Sequence, residues 1–409
     1  MESKTCNYRI PFNKPFIVGK ELYYVAQSVL SGHAAGNGPF TKKCHALMEE
    51  KFGARKILLT TSCSSALEMA AILCNIQAGD EVILPSFTFV STANAFHMRG
   101  AKLIFVDIRS DTLNIDETKI EEAISDRTKI IVPVHYAGVS CEMEVIKNIA
   151  KQHNLVVVED AAQAVNSKYK NRYLGTIGDL GTFSFHETKN FICGEGGAIL
   201  INNEKYIERA EIVWEKGTNR SKFFRGEVDK YTWVDIGSSY LISDILAAFL
   251  YAQLEKMEEI NERRQAIFDR YYKGLMPLAN DGLLRLPIIS YDSQPNSHLF
   301  YIIAQNKKTR DELMDHLKKE GIHAVFHYLP LHLSPIGHAM GYAEGQLPVT
   351  EALSDRLLRL PFYYDLTREE QTEVIEAIKK FFTKKRLFTG NGNGFKITQQ
   401  AAIAAIDCD

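Results

Sequence analysis

The sequence predicts an α/β fold: one large, mostly parallel sheet covered on both faces, followed by a smaller C-terminal α+β domain. Three observations carry this prediction. Over the first half, short apolar runs of β-type composition alternate with helix-length amphipathic segments. Near residue 255 that alternation stops and a different pattern begins. The chain has 409 residues, 45% hydrophobic and 24% charged, which is a folded composition too long for one small domain.

In chain order the strand-like runs are Lys56–Thr60, Glu81–Leu84, Lys102–Val106, Lys129–Val134, Leu155–Val158, Gly181–Phe185 and Ala198–Ile201. They are short and largely apolar, as strands buried on both faces must be. Between most of them lie Ser65–Asn75, Val90–Arg99, Ile115–Ile124 and Glu142–His153, which read as helices. Ser243–Arg264 reads as one long helix, apolar first and charged later. Beyond it, His298–Ala304 and His323–Phe326 read as strands, and Thr309–Glu320, Ser354–Leu358 and Arg368–Phe382 as helices. The expected division is a large domain over residues 1–255, a small one over 256–385 and a flexible tail over 386–409. The tail rests on the linker-like run Thr389-Gly-Asn-Gly-Asn-Gly394.

Charge and cysteine usage exclude several functions. Lys and Arg number 48 and Asp and Glu 50, a net charge of −2. No basic surplus is present for a phosphate backbone, so no nucleic-acid partner is expected. The seven cysteines form no CxxC pair, which argues against a disulfide framework or a metal site and for a reducing compartment. The polar start Met1-Glu-Ser-Lys4 and the shortness of the longest apolar run, Ile245–Ala252, predict neither a signal peptide nor a membrane span. A cytoplasmic location is the expectation.

Ligands of such sheets bind beyond the carboxyl ends of the strands, and four sites there carry chemistry. Val156-Val-Val-Glu-Asp160 ends a strand in two acids. Asp160 fits either a helix N-cap or a buried partner for a cationic ring nitrogen. Lys189 follows the strand ending at Phe185 and precedes the Gly-rich turn Gly194-Glu-Gly-Gly197. It fits either a solvated charge or an imine-forming nucleophile whose pKa is depressed by confinement. At Thr61-Ser-Cys63-Ser64-Ser65 a strand runs into a helix start, whose N–H groups favour an anion; plain capping by Ser62 or Ser64 uses the same residue types. Phe89, after the strand ending near Pro85, is either core or a flat face for a planar ring. Together these sites describe a phosphorylated, cationic heterocycle with an aldehyde, which is pyridoxal 5′-phosphate (PLP). Lys189 would carry it, Asp160 its ring nitrogen, Cys63–Ser65 and the Ser184 hydroxyl its phosphate, and Phe89 its face.

Glu159-Asp-Ala-Ala-Gln163, Ser184-Phe-His-Glu-Thr-Lys189-Asn and Gly194-Glu-Gly-Gly197 resemble the sugar-nucleotide aminotransferases of the DegT–DnrJ class. The resemblance runs from Ile10-Pro-Phe-Asn-Lys-Pro15 to about Phe382. Phe87-Thr-Phe-Val-Ser-Thr-Ala-Asn-Ala-Phe96, Lys216-Gly-Thr-Asn-Arg-Ser221 and Asp229-Lys-Tyr-Thr-Trp233 are similar to its subgroup in enterobacterial-common-antigen synthesis. That subgroup aminates C4 of dTDP-4-keto-6-deoxyglucose to give dTDP-4-amino-4,6-dideoxygalactose, with L-glutamate as donor. The resemblance implies a type I PLP fold and a homodimer, or a pair of such dimers, with sites shared between subunits. It implies that Gln163 lies near the ring hydroxyl. Ser239, in Gly237-Ser-Ser239-Tyr-Leu, stands where many members place an Asn that reaches the partner's phosphate. His327, Tyr328 and His332 of His327-Tyr-Leu-Pro-Leu-His332 match a segment near the sugar nucleotide; a structural Pro turn fits them equally. Tyr136 is a further expected sugar contact, and Ser31–Gly38 an expected wrapping loop. The dehydratase branch of the class replaces the cofactor Lys with His, so Lys189 argues for amino transfer. Amination of a related sugar nucleotide, or at C3, and a non-catalytic ligand sensor stay open.

Overall fold

The computed structural model describes residues 8–389, with side chains through 385. A seven-stranded sheet runs in the order Lys56–Thr60, Gly197–Ile201, Leu180–Ser184, Val156–Asp160, Thr128–Ile131, Glu81–Pro85, Lys102–Val106. All pairings are parallel except those of Gly197–Ile201, which runs antiparallel to both neighbours. Successive residues feed opposite faces, as the pleat requires. Ile57, Leu59, Ile83, Ile131 and Val157 enter one apolar cluster, while Leu58, Val82, Leu84, Ile130 and Val158 enter another. The near-continuous hydrophobicity of these strands is therefore the signature of helices on both sides. Cys63–Leu73 and Ile207–Trp214 cover one face; Pro39–Phe52, Met143–Gln152 and Asp244–Glu255 cover the other.

A third apolar cluster is built from residues 267–382 together with Ile10 of the N-terminal segment. The helices Met257–Asn280, Lys307–Lys319 and Arg368–Thr389 pack there on a three-stranded antiparallel sheet, ordered Leu284–Arg285, Tyr301–Ala304, Leu357–Arg359. Among the described residues no helix is long and apolar enough to cross a membrane.

Four segments depart from the sequence reading. The expected helix Ile115–Ile124 is two single turns, Glu117–Lys119 and Glu121–Ala123, because Asp116 caps the Thr118 N–H and only Ile115 and Ile120 are deeply buried apolar anchors. The expected helix Ser354–Leu358 is the end of helix Pro348–Ser354 followed by the strand Leu357–Arg359; three successive buried residues fit a short strand covered on both faces, and this pairing outweighs the helical propensity of Leu. His323–Phe326 forms only the bridge Val325–Arg359. The long helix breaks at Lys256, giving Asp244–Glu255 and Met257–Asn280. The Thr389–Gly394 run extends past the described residues, and the helix Arg368–Thr389 reaches further than expected.

Candidate active site

The carboxyl ends of the parallel strands open into a cavity of about 610 Å³. Ser62, Cys63, Ser64, Phe89, Asp160, Gln163, Ser184, Lys189, His327 and Tyr328 line it, so residues spread over 267 positions converge on one space. Ser65, Tyr136, Ser239 and His332 do not line it.

The helix start comes first. Ser62 is extended and its Oγ accepts the Ser65 N–H at 3.1 Å. The cap reading of this residue thus holds, and Ser65 is consumed by it, with its Oγ also 2.8 Å from the Thr61 hydroxyl. The N–H groups of Cys63 and Ser64, the first two of the helix, hydrogen-bond to no described residue. They face an anion's natural position. Gly197 lets the adjoining strand pass close to this turn: a Cβ there would lie 2.4 Å from the Cys63 nitrogen.

Asp160 is almost fully buried. Its Oδ2 accepts from Thr92 Oγ1 at 2.6 Å and its Oδ1 from the Ala162 N–H at 3.1 Å. No helix follows, so the N-cap reading is replaced by a turn that fixes the carboxylate at the cavity wall. Glu159, its neighbour, faces the opposite way into the protein. It accepts from His135 Nε2 at 2.9 Å and from the N–H groups of Gly175, Ile177 and Gly178 at 2.6–2.8 Å. Burial pushes its pKa up, but His135 and these N–H groups prevail and hold it below the usual carboxylate value. Glu159→Gln turns an amide NH₂ toward donors, and a loss of about 2–3 kcal/mol is expected in denaturant unfolding; a change under 0.5 kcal/mol would contradict this anchoring role.

Gln163 Oε1 accepts the Ala137 N–H at 2.7 Å and its Nε2 donates to the Tyr328 hydroxyl at 3.0 Å. Lys189 reaches the cavity from the loop after Ser184. Its amine makes no hydrogen bond or ion pair among the described residues. Burial lowers its pKa to about 8 against the opposing pull of Cys63 and Asp160, with Arg359 adding to the lowering. The amine is mostly charged below pH 8 and mostly neutral above it. Competitive acetylation of cofactor-free protein, read on the Lys189 peptide, should give a midpoint near pH 8; a midpoint above 10 would contradict this environment.

Phe89 is 56% exposed and caps the helix Val90–His97 at the cavity edge. Three expected placements are corrected, and a fourth residue, Ser239, lies outside this cavity. Tyr136 is 1% exposed and packed against Phe87, Tyr301 and Tyr328, behind the wall rather than in it. His332 is fully buried between Ser86 and Glu351, as the structural-turn reading required. Ser65 is held by its cap. Ser239 is exposed, outside this chain's own cavity, and bridges to Glu215.

Sequence reasoning missed Thr92, Arg359, Asn190 and His298. Thr92 was findable, one turn into a helix that starts at a strand end. Asn190 bonds His298 Nδ1 at 2.8 Å and the Asn296 carbonyl, contacts between distant segments that spacing does not reveal.

The profile of the DegT/DnrJ/EryC1/StrS aminotransferase family matches residues 17–379. The chain belongs to this family. It is 35% identical over 384 residues to an uncharacterized protein of Methanocaldococcus jannaschii, covering 92% of this chain and 98% of that one. It is 33% identical over 381 residues to the spore coat polysaccharide biosynthesis protein SpsC of Bacillus subtilis, with 91% and 97% covered. Among solved structures, the PLP form of Spr1654 from Streptococcus pneumoniae superposes with a TM-score of 0.84 at 27% identity, covering 92% of this chain and 99% of that one. DesV of S. venezuelae gives 0.82 at 30%, covering 91% and 98%. The family member described here is thus a PLP-dependent sugar aminotransferase of α/β fold type I. The free N–H groups at Cys63 and Ser64, the unpartnered Lys189 amine and the fixed Asp160 carboxylate fit a phosphate, an aldehyde and a ring nitrogen in one cavity.

Proposed function

We propose that this aminotransferase moves the amino group of L-glutamate to C4 of dTDP-4-keto-6-deoxy-D-glucose. The products are dTDP-4-amino-4,6-dideoxy-D-galactose and 2-oxoglutarate, for surface polysaccharide synthesis of the enterobacterial-common-antigen kind. The observation that carries amino transfer is the convergence of Lys189, Asp160 and Gln163 on one cavity. The stretches Lys216–Ser221 and Asp229–Trp233, and Ser239 in place of Asn, support the C4 substrate. The SpsC likeness supports a polysaccharide role.

PLP supplies an aldehyde carbon that takes up the amino group and a ring that spreads the electrons of a broken C–H bond. The chain's residues do the rest. Cys63 and Ser64 would hold the phosphate, with Ser184, and Phe89 would cover the ring. Asp160 would keep the ring nitrogen protonated, and Gln163 would lie at the ring hydroxyl. Lys189 Nζ takes the proton from Cα of glutamate and, in the second half, delivers one to C4 of the sugar. His327 and Tyr328 border the sugar's space. The exposure of Ser239 outside its own cavity supports a homodimer in which it serves the partner's site.

Purified protein with PLP, L-glutamate and dTDP-4-keto-6-deoxyglucose, read by NMR of the product, tests this. An axial 4-amino group is expected. An equatorial amine, or amination at C3, would overturn the substrate assignment while leaving amino transfer in place.

A further inference from the structure

One cation in the cavity has no role in the account above. Arg359 ends the strand Leu357–Arg359 and is held there by backbone bonds to Val325. It is 8% exposed and lines the cavity. Its guanidinium sits 4.9 Å from the ring centre of Phe12. No carboxylate among the described residues forms an ion pair with it, and its Nε is buried without an acceptor. Among the described residues its one side-chain hydrogen bond is from Nη1 to His327 Nδ1, at 2.8 Å. A buried cation without a counter-charge is costly unless the fold reserves its place for an anion.

The chemistry of that bond fixes the neighbour as well. A guanidinium only donates, so His327 Nδ1 must be the acceptor and carries no proton. Neutral His327 therefore bears its hydrogen on Nε2, free to donate. Burial, with Arg359 and Lys189, lowers the His327 pKa to about 4, which keeps the ring in this form through the neutral range. Arg359 and His327 thus present donors and a positive charge to the cavity that also holds Lys189.

We propose that Arg359 and His327 form a carboxylate subsite that holds the α-carboxylate of the amino donor. The helix start at Cys63 and Ser64 is a separate anion position, on a different element. Arg359 and Lys189 line the same cavity, so an anion held by Arg359 lies near the reacting carbon. An α-carboxylate is one bond from that carbon; the diphosphate of a sugar nucleotide is separated from C4 by the hexose ring. The inference rests on the reading of glutamate as donor.

The test uses the PLP-loaded protein and glutarate, which keeps both carboxylates of glutamate but cannot react. Glutarate binding is followed by the visible absorbance of the cofactor, and KM values for glutamate and for the sugar nucleotide are measured separately. Arg359→Gln should weaken glutarate and raise KM for glutamate at least tenfold, with KM for the sugar nucleotide changed less than twofold. Arg359→Lys keeps charge without the fork and should show a smaller change in the same two quantities; it carries the test if the Gln variant does not fold. Unchanged glutarate binding would overturn the subsite. A rise confined to the sugar nucleotide's KM would overturn it too, and would assign Arg359 to the diphosphate. Glutarate binding involves no sugar, so a wrong sugar assignment leaves this result readable.

Discussion

Lys189→Ala is expected to abolish amino transfer, lowering turnover by at least about 10³-fold, near the upper range for a positioned proton carrier. The expectation follows from the isolation of the amine. It has no hydrogen-bond or ion-pair partner among the described residues, and burial brings its pKa to about 8. Such an amine is present in both forms near neutrality, as a group that takes and returns a proton must be. Among the described residues no other lysine lines the cavity, so none of them can substitute. The same isolation makes the variant a clean one: no hydrogen bond is lost, and thermal unfolding should be unchanged or slightly later, since a buried amine is costly. Residual turnover above one tenth of the wild type would contradict the role of Lys189.

Asp160→Asn is expected to cost about 10²–10³-fold in turnover, the scale of removing one preorganised electrostatic contact. The Asn keeps the shape and an oxygen for the Thr92 hydroxyl or the Ala162 N–H, now 2.6 and 3.1 Å from the carboxylate. It cannot hold a protonated ring nitrogen by charge. Asp160→Ala leaves both donors without an acceptor and should add a stability loss of about 1–3 kcal/mol. Unfolding curves and turnover, measured on both variants, separate the two effects. Wild-type turnover in the Asn variant would contradict a charge-based role.

The sheet was legible because its strands are buried on both faces, and such strands leave apolar runs of four to six residues that are too short for helices. The central site was legible for a related reason: Asp160, Ser184 and the Cys63 helix start all lie at strand ends, where position along the chain gives position in space. Arg359 was hidden because it directly follows Ser354–Leu358, which was read as helix, whereas long-range pairing with Tyr301–Ala304 makes Leu357–Arg359 a strand. Tyr136 and His332 were misplaced for the opposite reason. Tyr136 follows a strand end and His332 lies in a motif-matching segment, but Tyr136 packs beneath Tyr328 and His332 is spent on Ser86 and Glu351, facts set by tertiary contacts alone. Ser239 belongs to a third kind, since its exposure on one chain gains meaning only beside a second copy.

The most direct measurement is reduction of the PLP-loaded protein with borohydride, followed by peptide mapping by mass spectrometry. The account predicts the pyridoxyl group on the peptide containing Lys189, and no label in Lys189→Ala. Label on another lysine, or equal label in the variant, would contradict the placement of the cofactor in this cavity.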